Sequence, residues 1–113
     1  MYNINEQQTK PIHHYMPIEK PIQLCIPKVS NQITRNQIIT TFQKLKIGRI
    51  YKIIENPLRA DPQSKRIVIS IDWDNTQPLA KEIQETLQDP TEHMNVVYEM
   101  PWYWQIYANH SQR

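Results

Sequence analysis

Asp72 directly follows residues 66–71, four of which are apolar. Asp74 comes two residues after Asp72, and Thr76 two residues after Asp74. A carboxylate can attack as a nucleophile, transfer a proton as an acid or base, or hold a divalent cation. Two carboxylates at the end of a strand would therefore suit a catalytic site. Such a site also needs other groups from the rest of the chain.

The stretch Asp72-Trp73-Asp74-Asn75-Thr76 resembles the DxDxT motif of haloacid-dehalogenase-type phosphatases and phosphotransferases. That resemblance implies an attacking Asp72, an acid/base Asp74 and Mg²⁺ between them, with a parallel sheet, a later Ser or Thr, a Lys and a further acidic pair. The 37 residues after Thr76 contain one lysine, Lys81, and no two adjacent acidic residues. We therefore interpret Asp74 or Thr76 as a helix cap, an interaction worth about 1 kcal/mol. The protein is therefore predicted not to be an enzyme, and a phosphatase is the remote alternative.

The composition argues against several other kinds of site. Cys25 is the only cysteine, so an internal disulfide is excluded and no zinc-type spacing exists. The single glycine excludes a glycine-rich phosphate loop. No apolar run approaches the roughly 20 residues that span a bilayer, and residues 1–14 lack the apolar segment of a secretory signal. We expect an intracellular protein with no metal, no cofactor and no membrane association.

Charge is segregated along the chain although the net charge is only +2. Residues 44–66 hold seven basic side chains against two acidic ones, and residues 72–99 hold seven acidic side chains against Lys81. A basic middle segment could bind phosphate groups. Two oppositely charged, solvated faces are the alternative interpretation.

The spacing of apolar residues predicts six elements in the order strand, helix, strand, strand, helix, strand, over residues 22–29, 33–48, 49–54, 66–73, 77–87 and 94–100. Thr34 with Gln37 predicts a capping box on the first helix, and Gly48 is predicted as the left-handed residue that follows it. The order predicts an α+β fold of the split βαβ kind, a four-stranded antiparallel sheet with both helices on one face. Residues 1–21 are predicted as an extended arm, 22–100 as the domain, and 101–113 as an aromatic extension packed on it.

Residues 22 to about 100 resemble the RNA recognition motif family. Thr34, Ile38, Phe42, Gly48 and Ile50 fall where that family places a cap, a Leu, a Phe, a Gly and an Ile. The segments LKIGRI and MPWYW also resemble a variant group of these domains encoded by large DNA viruses. The resemblance implies a ferredoxin-like sheet that stacks single-stranded RNA on aromatic side chains of its two central strands. It also implies a viral protein, located in the host cytoplasm or the virion.

The stacking aromatics of that family are missing here, because Cys25, Arg66 and Val68 occupy the matching positions. Each base–aromatic stack contributes roughly 1–3 kcal/mol, so most of the usual affinity would be lost. Arg66 could still stack through its guanidinium group. Phosphate contacts are predicted for four other basic residues of the sheet, namely Lys28, Arg49, Lys52 and Lys65. The predicted nucleic-acid surface is thus weak and mainly electrostatic.

Aromatic residues concentrate near the C-terminus, where Trp102, Tyr103 and Trp104 follow Pro101. They either enlarge a small core or remain exposed as anchors for a protein partner. Two functions are expected, and the first is ranked ahead because the family resemblance implies it. The first is a non-enzymatic module that binds single-stranded RNA or other nucleic acid through its sheet face. The second is a protein-interaction or virion-associated structural module that has lost base stacking, with the N-terminal arm or the C-terminal aromatics contacting the partner.

Overall fold

The computed structural model describes residues 21–109, so residues 1–20 of the predicted arm and residues 110–113 lie outside the described part. The described chain folds into an α+β domain with five strands and two helices. Its elements are β1 (Leu24–Ser30), α1 (Arg35–Gln43), β2 (Gly48–Pro57), β3 (Ser64–Trp73), α2 (Pro78–Leu87), β4 (Met94–Glu99) and β5 (Trp102–Ala108). No helix in this part of the chain is long and apolar enough to cross a membrane.

The five strands form an antiparallel sheet in the order β2-β3-β1-β5-β4. The predicted α+β class is confirmed, whereas the prediction of four strands is wrong. Residues 102–108, predicted as an extension on the domain, are a strand inside the sheet, between β1 and β4. Buried Trp104, Ile106 and Ala108 alternate along β5 with more exposed residues, which is the period of a half-buried strand.

One hydrophobic cluster joins both helices to the same face of the sheet. Ile38 and Phe42 of α1 and Ile83 and Leu87 of α2 belong to it. The strands contribute alternate residues, including Leu24 and Ile26 of β1, Ile67, Ile69 and Ile71 of β3, and Trp104 and Ile106 of β5. Both helices therefore cover one face, as the alternation in the strands predicts, and the other face carries neither helix.

The predicted capping box is present at the start of α1. The Thr34 side chain accepts a hydrogen bond from the Gln37 backbone N–H at 3.1 Å, and the Gln37 side chain accepts one from the Thr34 backbone at 2.9 Å. The prediction for Gly48 is wrong, because Lys46 takes the left-handed conformation with φ of 56°. Gly48 instead begins β2 with φ of 148°, and a Cβ atom there would lie 2.3 Å from the Asp72 carbonyl oxygen. Only glycine fits at this position, because β2 and β3 approach each other closely there.

Candidate interaction surface

A row of four side chains crosses the sheet face that carries no helix. The strand register places Tyr107, Cys25, Val68 and Ile54 side by side on β5, β1, β3 and β2. Cys25 is 6% exposed and Val68 4%, whereas Ile54 at the sheet edge is exposed. Two of the three predicted stacking positions therefore offer a base neither an aromatic ring nor accessible surface.

Arg66, the third predicted stacking residue, is held by hydrogen bonds across this face. Its Nη2 donates to Asn109 Oδ1 at 3.1 Å, and Asn109 Nδ2 donates to Gln23 Oε1 at 3.1 Å. Gln23 Nε2 donates in turn to Ser70 Oγ at 2.9 Å. Burial raises the pKa of the Cys25 thiol, and the Arg66 guanidinium opposes that rise. A thiol with a raised pKa is a poor nucleophile at neutral pH.

The predicted basic residues do not gather into one exposed surface. Lys28 Nζ lies 3.0 Å from Asp61 Oδ2, and Arg49 Nη2 lies 3.9 Å from Asp72 Oδ2. The hydrogen bond from Lys28 lowers the pKa of Asp61, and hydrogen bonds from the Ser64 side chain and the Gln63 backbone, together with the charge of Lys28, add to that effect. Among the predicted basic side chains, Lys52 alone is exposed and outside the described ion pairs and side-chain hydrogen bonds.

Lys65 lies on the helix-covered side of the sheet rather than on the open face. Its ammonium group donates to Glu55 Oε1 at 2.6 Å and to the Ile33 carbonyl at 2.7 Å, and its side chain is 11% exposed. Arg35 Nε lies 2.9 Å from the other Glu55 oxygen. The hydrogen bond from Lys65 lowers the pKa of Glu55, and the two positive charges add to that effect. Lys65 therefore stabilises this corner of the fold and does not lie on the open sheet face where phosphate contacts were predicted.

β1 and β5 stop pairing just before Pro27, and a cleft lies beyond that point. The Asn109 N–H donates to the Gln23 carbonyl at 2.8 Å, so Gln23 faces β5 with its backbone polar groups. In an antiparallel pair every second residue points its backbone N–H and C=O toward the same neighbouring strand. After Gln23, the residues of β1 that point toward β5 are therefore Cys25 and Pro27. Proline has no N–H, and the paired residues of β1 and β5 end at Cys25–Tyr107. Beyond that point lies a cleft of about 440 Å³ whose lining includes Lys28, Tyr98, Tyr103 and Trp104.

A stack of aromatic rings links the core to this cleft. Trp104 is 5% exposed and lies between Phe42, with ring centroids 6.5 Å apart, and Tyr98, with centroids 4.4 Å apart. Tyr98 is half-buried and lines the cleft. Of the three predicted partner-binding aromatics, Trp104 is therefore a core residue.

The other two aromatics lie at the exposed end of the β4–β5 hairpin. Trp102 is 62% exposed and Tyr103 50%. Val97, the register partner of Tyr103, and Met100 are exposed beside them. We call these four residues, Val97, Met100, Trp102 and Tyr103, the hairpin patch. Val97 and Met100 were not predicted as site residues, although two alternating strands joined at Met100–Pro101 indicate a hairpin.

The two outer strands of the sheet differ in how their free edges are protected. Arg35 Nη1 donates to the Ile53 carbonyl of β2 at 3.1 Å, and the β2 register shifts between Ile50 and Lys52. A capping cation and a bulge both discourage the addition of another strand. In the described part of the chain β4 pairs with β5 alone, and its edge carries no comparable cation or proline.

The aspartates of the DxDxT stretch do not form a cluster with other acidic residues. Asp72 lies at an exposed end of β3 beside Arg49. Asp74 Oδ1 accepts hydrogen bonds from the hydroxyl and backbone N–H of Thr76 at 2.6 and 3.1 Å, and these hydrogen bonds lower the pKa of Asp74. The N-cap of α2 is Gln77, so Asp74 stabilises the turn before the helix and the prediction of Asp74 or Thr76 as its cap is wrong. Within residues 21–109, no group of three metal-ligating side chains is found.

Comparisons with protein-family models, with curated proteins and with solved structures found no match.

Proposed function

We propose that the protein is a non-enzymatic protein-interaction module whose binding surface is the hairpin patch with the adjacent edge of β4. The observation that supports this proposal most directly is the exposure of Trp102, Tyr103, Val97 and Met100 together at the end of one hairpin. Large aromatic side chains are the residues that most often dominate binding energy at protein interfaces. Val97 and Tyr103 are cross-strand partners on one face of the hairpin, whereas Trp102, next to Tyr103 on β5, points to the other face, so the patch surrounds the end of the hairpin. Several large apolar side chains exposed on one hairpin mark an interaction surface better than a single exposed residue does.

The partner that fits this surface is an extended segment with alternating apolar side chains. An added strand could pair with the backbone of β4, because β4 lies at the sheet edge and β2 at the other edge is capped by Arg35. Side chains on one face of that added strand would then lie beside Val97, whose neighbour across the hairpin is Tyr103. The cleft next to Tyr103 offers room for an anchoring side chain.

We also propose that the fold is ferredoxin-like with one added strand. Without β4, the elements run β1-α1-β2-β3-α2-β5, with β1 and β3 in the middle of the sheet and both helices on one face. This is the split βαβ order, and it supports the RNA-recognition-motif resemblance. The hypothesis of nucleic-acid binding is less well supported, since Cys25 and Val68 are buried and, of the five basic residues predicted to bind nucleic acid, only Lys52 is exposed and outside the described ion pairs. Assignment to the viral variant group stays a prediction.

A displayed library of 12-residue peptides can test the proposal with the full chain as bait. Selection on the wild-type protein should enrich peptides with apolar residues at alternate positions. Trp102→Ser/Tyr103→Ser should weaken binding of the enriched peptides at least about 30-fold, since an anchoring aromatic contributes about 2 kcal/mol or more. Tyr51→Ser is the matched control, because Tyr51 is 63% exposed on β2 at the opposite edge.

The proposal fails if no peptides are enriched, or if the enriched peptides bind the hairpin variant as tightly as the wild type. A titration with labelled single-stranded RNA at two salt concentrations tests the other hypothesis. Binding that is lost in Arg66→Ala/Lys52→Ala but kept in the hairpin variant would support the nucleic-acid function instead.

A further inference from the structure

The three aromatic side chains that line the cleft between β1 and β5 each carry a polar hydrogen. Trp104 has its indole N–H, and Tyr98 and Tyr103 have their hydroxyl groups. Within residues 21–109, none of these three groups takes part in a hydrogen bond with the protein. Trp104 is the most demanding of them, because it is 5% exposed and a buried N–H group almost always has a partner. The cleft therefore presents an unmet donor that a bound partner can satisfy.

The Trp104 ring presents its edge rather than its faces to the clefts around it. Trp104 lies between Phe42 and Tyr98, and both rings stack against it, with interplanar angles of 15° and 14°. The indole N–H is part of the ring edge. Trp104 lines the cleft of about 440 Å³ between β1 and β5 and a smaller one of about 250 Å³ against α1. The larger cleft is the one with room for a backbone segment.

The charges around the larger cleft favour a neutral acceptor over an anion. Among the described residues that line it, Lys28 is the one charged side chain, and its Nζ lies 3.0 Å from Asp61 Oδ2. A carboxylate that entered the cleft would lose its hydration and would gain little from a cation that Asp61 already neutralises. A carbonyl oxygen costs much less to remove from water and still accepts from an N–H group. The ligand atom that fits best is therefore a carbonyl oxygen.

Hydrogen bonds already occupy the two serine hydroxyl groups of the lining. Ser30 Oγ accepts from the Gln32 backbone N–H at 3.1 Å, and Ser64 Oγ donates to Asp61 Oδ2 at 2.9 Å. An ordinary peptide brings one N–H with each carbonyl, and those N–H groups would find few acceptors in this cleft. Proline has a carbonyl and no N–H. A polyproline II helix makes no internal hydrogen bonds, so its carbonyl oxygens are free to accept.

We propose that this cleft binds a proline-rich segment of a partner protein in the polyproline II conformation. A carbonyl oxygen of the segment accepts the Trp104 N–H, and proline rings pack against Tyr98 and Tyr103. Aromatic-lined grooves recognise proline-rich segments in this way. The inference goes beyond the proposed function, because a run of prolines cannot pair with β4 as an added strand and needs the cleft instead.

The indole N–H groups allow a direct test by NMR, because Trp73, Trp102 and Trp104 are the three tryptophans of the chain. The probe is an acetylated and amidated decaproline peptide added to the full-length protein, and a glycine–serine peptide of equal length is the control. We expect decaproline to move the Trp104 indole proton signal downfield, as a new hydrogen bond does. The Trp73 signal should stay in place, because Trp73 Nε1 already donates to the Ile22 carbonyl at 3.1 Å.

A pair of matched variants measures the contribution of the Trp104 N–H. Trp104→Phe removes the N–H and keeps an aromatic ring, so it should weaken decaproline binding about three- to tenfold, the usual contribution of one hydrogen bond. Trp102→Phe is the control and should bind as the wild type does, since Trp102 belongs to the hairpin patch and does not line the cleft. Circular dichroism verifies that both variants are folded. The NMR measurement uses the wild type, so it stands even if Trp104→Phe is unstable.

The absence of a Trp104 shift at the highest soluble peptide concentration would overturn the inference, as would equal binding by the two folded variants. A shift of the Trp102 signal alone would place the peptide on the hairpin patch, and loss of binding in Thr40→Ala would place it in the smaller cleft against α1. Both results would overturn the inference too. If the alternating apolar peptides still bind the hairpin patch while decaproline does not bind, this inference fails and the proposed function stands.

Discussion

Trp102 and Trp104 are two residues apart on the same strand but are predicted to have opposite roles. Trp104→Ala removes a core ring that is 5% exposed and stacked on Tyr98, whereas Trp102→Ala removes a ring that is 62% exposed. Replacing a buried tryptophan with alanine costs about 3–5 kcal/mol, because burial is lost and a cavity remains. Loss of the stack on Tyr98 is part of that cost.

The cost at Trp102 is predicted to be much smaller. Trp102 has less than half of the covered area of Trp104, and a surface site leaves no cavity, so we expect about 1 kcal/mol or less. A domain of this size has a free energy of unfolding of about 5–13 kcal/mol. Trp104→Ala should therefore remove a large share of the stability, while Trp102→Ala should leave a well-folded protein that has lost peptide binding.

Urea unfolding followed by far-UV circular dichroism measures both variants without relying on tryptophan fluorescence. Trp104→Phe serves as the conservative variant and should recover more than half of the loss, because it retains a stacked ring. If the two alanine variants differ by less than about 1 kcal/mol, the distinction between a core and a surface tryptophan in β5 is wrong.

Two further predictions concern the corners of the sheet. Gly48→Ala should lower the free energy of unfolding by about 2–4 kcal/mol, since the new Cβ atom would meet the Asp72 carbonyl oxygen at 2.3 Å; a loss below about 1 kcal/mol in urea unfolding would show that β2 and β3 adjust easily. Glu55→Gln should cost about 2 kcal/mol at pH 7, because the Lys65 ammonium loses its carboxylate partner. The folded-state pKa of Glu55 lies below its unfolded value, so this stabilisation is complete above about pH 5 and is lost as the pH falls through the folded-state pKa. The free energies of unfolding of the wild type and Glu55→Gln, measured in urea, should therefore become equal as the pH is lowered from 7 to 3. A difference between them that does not change with pH would contradict the ion pair.

The features that depend only on residues close together in the sequence were predictable. The Thr34–Gln37 capping box, the helical stripe of Ile38 and Phe42, and the alternation of Ile67, Ile69 and Ile71 are all local patterns, and each is present in the structure. Both helices share one face because the strands alternate between an apolar and a mixed side. These features need no knowledge of which strand pairs with which.

The candidate surface was only partly predictable, because exposure depends on distant neighbours. The sequence singled out Trp102, Tyr103 and Trp104 together, but Trp104 is covered by Phe42 and Tyr98 and the other two are not. Lys65 was assigned to the open face, although β3 begins earlier than predicted and the strand register places Lys65 beside Glu55 on the other side. A shift of one residue moves a side chain to the opposite face of a sheet.

By itself, the amino-acid sequence determined the α+β class, the two helices and the first helix cap. It also determined that the three stacking positions are occupied by the non-aromatic residues Cys25, Arg66 and Val68. These follow from residue type and from spacings of two to four residues along the chain. Only the tertiary structure decided that the aromatic C-terminal segment is a strand inside the sheet, that this strand pairs with β1 as far as Cys25–Tyr107, and that a hairpin carries the exposed aromatics. Those outcomes depend on pairing between residues more than 80 positions apart, such as Leu24 and Ala108, and on which side chains the pairing leaves uncovered.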